Sequence, residues 1–100
     1  MPFVTVYPEK LSAAADNLLS IAATFAAGNA AAAGPTTAVV PAAADEVSAL
    51  TAARFAVHAQ RYQTLSAQAV AIHELLAATL AVAAGSYAAT EAASAAASAL

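Results

Sequence analysis

A chain of 100 residues is the size of one small domain, and with no cysteine it can form no disulfide, thiolate metal site or thiol nucleophile. Three basic against six acidic residues, a formal charge of −3, leave no basic patch for nucleic acid. Alanine supplies 36 of the 62 hydrophobic residues, so only 26 apolar side chains are larger than a methyl group. Alanine loses no side-chain entropy on entering a helix, and β-branched and aromatic residues are sparse, so the expected fold is all-α. A buried methyl contributes roughly 0.8 kcal/mol where a buried leucine or phenylalanine contributes about 1.5–3. Backbone ordering costs about 1–2 kcal/mol per residue. A core made mostly of methyls is therefore expected to need a partner to complete it.

In chain order, Met1-Pro2-Phe3-Val4 lacks the charged start and apolar run of a Sec signal. A first helix is predicted over about 8–33. Pro8 suits a first helical position, where its missing N–H is not needed, and Glu9 places negative charge at the positive end of the helix dipole. Gly34-Pro35 is expected to stop it. About 26 residues at 1.5 Å rise give roughly 39 Å. Leu11, Leu18 and Phe25 fall seven apart, with Ala14, Ile21 and Gly28 interleaved, the a and d positions of a left-handed packing. Asp16, Asn17, Ser20 and Thr24 lie off that stripe.

Residues 34–41, with two prolines and two threonines, are predicted as a stiff loop. The second helix is predicted over about 42–85, with Asp45 and Glu46 in its early turns and no proline or glycine before Gly85. That is about 43 residues, roughly 65 Å. Residues 86–100 are predicted as a looser Ala/Ser tail. The most apolar stretch, 75–84, is too short for the roughly 20 residues a membrane-spanning helix needs, so a soluble protein is expected.

The two helices differ in their faces. At 100° per residue, Val47, Leu50, Val57, Leu65, Ile72, Leu75, Leu76 and Val82 spread over nearly half the circumference of the second helix, and Phe55, Tyr62 and Leu80 extend the edge. Gln60, Gln63, Ser66 and Glu74 occupy the other side. One neighbour needs a narrow seam, whereas an arc this wide implies two or more, the first helix covering one part and a partner the rest. The pattern alone allows a different partner or a second copy forming a four-helix bundle. Arg54 and Arg61 fall inside the arc. Either their stems cover apolar surface while the heads reach water, or they pair with acidic groups on the partner and fix register.

No catalytic constellation emerges, and neither a metal nor a cofactor is expected. His58 and His73, fifteen apart on a helix, stand about 22 Å from each other, too far to share a metal or substrate. The serines and threonines have no base in a triad-like arrangement, no glycine-rich phosphate loop is present, and the six acids are scattered.

The start Phe3-Val4-Thr5-Val6-Tyr7-Pro8-Glu9, followed by an alanine-rich helix, resembles the PE family, named for its Pro-Glu pair. Thr36-Thr37-Ala38-Val39-Val40-Pro41-Ala42-Ala43-Ala44-Asp45 resembles its inter-helix segment, and Val47-Ser48 and Thr51-Ala52-Ala53-Arg54-Phe55 fit as well. Tyr87-Ala88-Ala89-Thr90-Glu91 is similar to the Y-x-x-x-D/E motif of mycobacterial type VII secretion substrates. Each signal is weak singly; their order over nearly the whole chain is specific. The resemblance, to a member without the long glycine-rich extension that some carry, implies a non-catalytic module. Its antiparallel two-helix hairpin pairs with a PPE-family protein to complete a four-helix bundle. It implies Pro8 and Glu9 as the family motif and Tyr87 and Glu91 as a secretion signal. It further implies export by type VII machinery to the medium or cell surface, with a chaperone bound through the PPE partner. The hairpin and partner interface is expected to use Leu11, Leu18, Ile21, Phe25, Val47, Leu50, Phe55, Val57, Tyr62, Leu65, Ile72 and Leu76, with Arg54 and Arg61 as interface charges. A competing reading is a self-associating or lipid-surface protein. Three basic residues and no tryptophan argue against the lipid form, and membrane contact by the chain alone is not expected.

Overall fold

The computed structural model describes residues 4–100, so of the motif-bearing start Phe3 lies outside the described residues. Two helices and no strands are present among the described residues: α1, Pro8–Thr37, and α2, Glu46–Ser98. Tyr7 opens α1, its carbonyl accepting from the amides of Lys10 (3.0 Å) and Leu11 (3.4 Å), and Pro8 takes the position that needs no donor. Lys10 Nζ lies 4.5 Å from the centroid of the Tyr7 ring, a cation–π contact at the same end.

Three boundaries differ from the sequence expectation. First, α1 runs through Gly34-Pro35 to Thr37. The usual clash of a proline ring with the preceding residue's Cβ is absent, because that residue is glycine. Thr36 and Thr37 also donate their hydroxyls back to the carbonyls of Ala32 and Ala33, each at 2.6 Å. The Ala38 amide still reaches the Gly34 carbonyl at 3.1 Å, so the backbone ladder resumes beyond the proline.

Second, α2 begins at Glu46 rather than just after Pro41, because Asp45 is its cap. The Ser48 amide donates to Asp45 Oδ2 at 3.0 Å, the Ser48 hydroxyl to Oδ1 at 2.6 Å, and the Ala49 amide to the Asp45 carbonyl at 3.2 Å. Those two bonds from Ser48 hold the Asp45 carboxyl below the ordinary carboxylate range. A carboxyl with a depressed folded-state pKa contributes stability that is present above its unfolded value and is lost as pH falls through the folded one. The first turn of α2 is therefore expected to loosen in acid. Asp45→Ala should speed hydrogen exchange at the Ser48 amide several-fold at neutral pH, and Asp45→Asn should restore protection while removing the acid sensitivity. Equal exchange in all three proteins would show that Asp45 is not the cap.

Third, α2 does not end at Gly85 but continues to Ser98, so residues 86–98 are helix and not a loose tail. A mid-helix glycine costs only about 1 kcal/mol relative to alanine, and the alanines on both sides offset it.

The chain divides into two compact units: residues up to 21 with 73–100, and residues 22–72. In both, the buried positions are small. In the first unit Ala15 on α1 and Ala77 and Ala84 on α2 are buried, with Leu11, Leu18, His73, Leu80 and Ala83 half-buried beside them. His73 Nε2 lies 2.9 Å from the Leu18 carbonyl; a carbonyl can only accept, so Nε2 carries the proton. In the second unit Ala22, Ala52, Ala59 and Ser66 are buried, with Asn29, Ala32, Ala33, Ala56, Gln63 and Val70 half-buried. Along α2 these positions are 52, 56, 59, 63, 66, 70, 73, 77, 80 and 84, steps of four and three that form an unbroken heptad of mostly small or polar residues.

This corrects the expected orientation of α2. Gln63 and Ser66, placed by sequence on the side away from the apolar arc's neighbours, face α1 instead: Gln63 Nε2 donates to the Asn29 carbonyl at 2.9 Å. Small side chains let two helix axes come close; in the 22–72 unit the seam takes no leucine, and Val47, Leu50, Val57 and Leu65 turn out.

By length and composition both helices also pass as membrane-crossing segments, with 18-residue windows of mean hydropathy 1.2 and 1.6. The apolar stretch is thus longer than residues 75–84 alone suggest, because alanine carries the windows.

Candidate partner interface

The consequence of an alanine seam is an uncovered apolar exterior. Relative to the heptad of α2, Val47, Leu50, Val57, Leu65 and Ile72 fall on the opposite side, and each is exposed; Ile72 has 68% of its surface free. Phe55 and Tyr62 stand at the flank of the same unit and are exposed too. In the other unit Leu75, Leu76 and Val82 are exposed, Val82 to 70%. On α1, Leu11 and Leu18 are half-buried in the seam, whereas Leu19, Ile21 and Phe25 are exposed. No large side chain among the described residues is fully buried. Isolated exposed leucines are ordinary, but contiguous large apolar residues over many turns mark an interaction surface.

Two grooves sit on the 22–72 unit. One, of about 310 Å³, is lined by Ala32, Pro35, Thr36, Val39, Phe55, His58, Ala59 and Tyr62; it is made where α1 runs past its proline. The other, of about 280 Å³, lies over Ala26, Asn29, Ala30, Gln63, Ser66, Ala67 and Val70. Asn29, which lines it, accepts from the Tyr62 hydroxyl at Oδ1 (2.8 Å), and its Nδ2 is buried without a hydrogen-bond partner. Sequence reasoning passed over Asn29. Its signal was present, as a lone amide among the alanines and glycines of residues 26–34.

For chemistry the inventory is thin. Among the described residues no three of His, Cys, Asp and Glu come together as metal ligands. His73 is engaged with the Leu18 carbonyl, and His58 lines the groove beside Phe55 and Tyr62. Tyr87 is half-exposed and Glu91 exposed; four apart within continuous α2, they share a face beyond the last buried alanine, Ala84.

A sequence profile of the PE family matches residues 4–94, an interval that holds both helices almost entire and the Pro8-Glu9 pair. The chain belongs to the PE family. PE family protein PE13 of Mycobacterium tuberculosis is 68% identical over 97 residues, which is 97% of this PE chain and 98% of that protein. PE-PGRS family protein PE_PGRS33 of the same organism is 58% identical over 96 residues, and PE family protein PE8 is 53% identical over 91. This PE chain spans only 19% of the former and 33% of the latter, so in those proteins it corresponds to one part of a longer polypeptide.

Proposed function

We propose that this PE protein is a non-catalytic helical module that pairs with a PPE-family protein as an obligate heterodimer. Two helices from each would form a four-helix bundle, and the chain would carry its type VII export signal at Tyr87 and Glu91. The observation that carries the reading is the inversion of burial: the seam holds alanines, while Val47, Leu50, Val57, Leu65 and Ile72 point to solvent. A bundle completed by a partner would cover them, and at about 25 cal/mol per Å² that burial supplies what the methyl seam lacks. The exposed Tyr87 and Glu91 on one face of an extended helix support an export role read by machinery outside the bundle. Release to the medium or cell surface, and a chaperone bound through the PPE member, belong to the same proposal.

Sedimentation equilibrium with far-UV circular dichroism tests the pairing. The chain alone should be weakly helical or aggregate at micromolar concentration, and co-expressed with its PPE protein it should form a stable helical 1:1 complex. A stable monomer or homodimer indifferent to the PPE protein would sink the reading. The apolar length of both helices favours one competitor, a lipid-surface protein. Flotation of the isolated chain with liposomes would support that instead.

A further inference from the structure

Within the 22–72 unit, charge is distributed unevenly. Arg54 and Arg61 are two of the three basic residues of the chain. The unit's own acids are Asp45 and Glu46. Asp45 is committed to capping α2 through Ser48, and Glu46 stands more than two turns before Arg54. The next carboxylate along α2, Glu74, lies more than three turns after Arg61. No ion pair involves either arginine among the described residues. Arg54, Val57, His58 and Arg61 line one shallow cleft of about 420 Å³, and Val57, Arg61 and Leu65 line the next with Gln60 and Thr64. The two guanidinium groups are seven residues apart, two turns or about 10.5 Å along the axis, on the side of α2 turned away from the alanine seam. They stand inside the exposed row of Val47, Leu50, Val57 and Leu65, not at its margin.

We propose that Arg54 and Arg61 together hold a carboxylate presented by an apolar helix of the partner protein; this rests on the heterodimer reading above. The argument is one of desolvation. Any helix that covers Val57 and its neighbours also covers the stems and part of the heads of both arginines. A guanidinium removed from water without a counter-charge is heavily penalised, whereas one that receives a carboxylate in fork geometry is not. The complementary chemistry is therefore a mostly apolar helix with an Asp or Glu facing the midpoint of the pair, over Val57 and His58. Such a contact sets register and partner choice, because a PPE protein without an acid at that height would leave two buried cations. An anionic membrane is the less fitting occupant. Interfacial helices place cations along the polar flank of the apolar face, where they reach headgroups, and here they interrupt its centre.

The test uses the co-expressed complex. Wild-type chain, Arg54→Met/Arg61→Met and Arg54→Glu/Arg61→Glu are compared for partner affinity at two salt concentrations and for flotation with phosphatidylglycerol vesicles. Neither arginine makes a hydrogen bond or ion pair among the described residues that the variants would remove. The expected result is an affinity loss of about 100-fold for the glutamate pair, a smaller loss for the methionine pair, and a salt dependence that disappears in the latter. Lysine scanning of the partner's acidic residues should then find one position that restores binding to the glutamate pair. Wild-type affinity in both variants would overturn the proposal while leaving the heterodimer intact. Absence of a wild-type complex would overturn the heterodimer reading itself, and with it this one. Arginine-dependent flotation with no effect on partner affinity would assign the pair to a lipid surface and overturn it as well.

Discussion

Ala22→Leu is expected to destabilise this protein more than Leu65→Ala does, the reverse of the ordinary ranking of core and surface substitutions. Ala22 is 3% exposed and lies one heptad before Asn29 on the seam side of α1, outside both grooves of the 22–72 unit. Three added carbons there must push the helices apart, lifting neighbouring methyls from contact and lengthening the bonds from Tyr62 and Gln63 to Asn29. Overpacking typically costs about 1–3 kcal/mol, a large share of the stability of any domain this small. Leu65, by contrast, is 65% exposed, so truncating it opens no cavity within the chain. In an ordinary core the same truncation costs about 2–5 kcal/mol; here it should fall within about 0.5 kcal/mol. Thermal unfolding of the two variants by circular dichroism in one buffer decides the matter. A larger loss for Leu65→Ala would mean that the chain packs through its leucines, and that the alanine seam is not the contact between the helices. The ranking should invert for partner affinity, where Leu65→Ala is the more costly change.

Tyr87→Ala is expected to reduce export to background while leaving the amount of partner co-purified from the cytoplasm unchanged. Tyr87 lies beyond Ala84, the last buried position of α2, and half of its surface is free. Its removal therefore takes little from the packing. What it removes is one of two side chains that α2 displays four residues apart, and Glu91→Ala should have the same effect for that reason. The readout is the ratio of protein in culture filtrate to protein in cells, with partner co-purification measured on the same lysate. Normal secretion of both variants would refute the signal. Loss of the partner together with secretion would assign Tyr87 to the end of the interface.

Much of this architecture was legible in the residues. Alanine abundance gave two helices, and Pro8 with Glu9 gave the start of the first within a residue. The apolar arc on α2 was read as wider than α1 could cover, and Val47, Leu50, Val57, Leu65 and Ile72 are exposed. What the pattern left open was which large apolar residues the hairpin itself would take: Leu11, Leu18 and Leu80 are half-buried, while Val47, Leu50, Val57 and Leu65 are exposed. A hydrophobicity pattern records that a face is to be buried, not against which chain, and in this sequence the cheapest close contact is methyl on methyl. The breakers were over-read for a related reason. Gly34-Pro35 resembles a terminator in isolation, but the glycine removes the clash with a preceding Cβ and two threonines supply hydroxyl bonds just beyond it. Gly85 sits among alanines whose propensity carries the helix through. Asn29 was missed because a single amide among alanines has no periodicity to reveal it.

Asn29 also bears on how the 22–72 unit finds its alignment. Methyl contacts alone discriminate poorly between registers: after a slip of seven residues Ala59 would stand where Ala52 does, although Gln63 would come to the place of Ala56 and Ser66 to that of Ala59. The side chain of Asn29 sharpens that choice, because the Tyr62 hydroxyl finds its Oδ1 only when the two stand opposite, while Gln63 adds a bond to the Asn29 backbone carbonyl. A slipped hairpin would keep part of its methyl contacts and strand those polar groups. Alignment in this unit is therefore encoded by a few directional bonds, and attraction by the alanines that surround them.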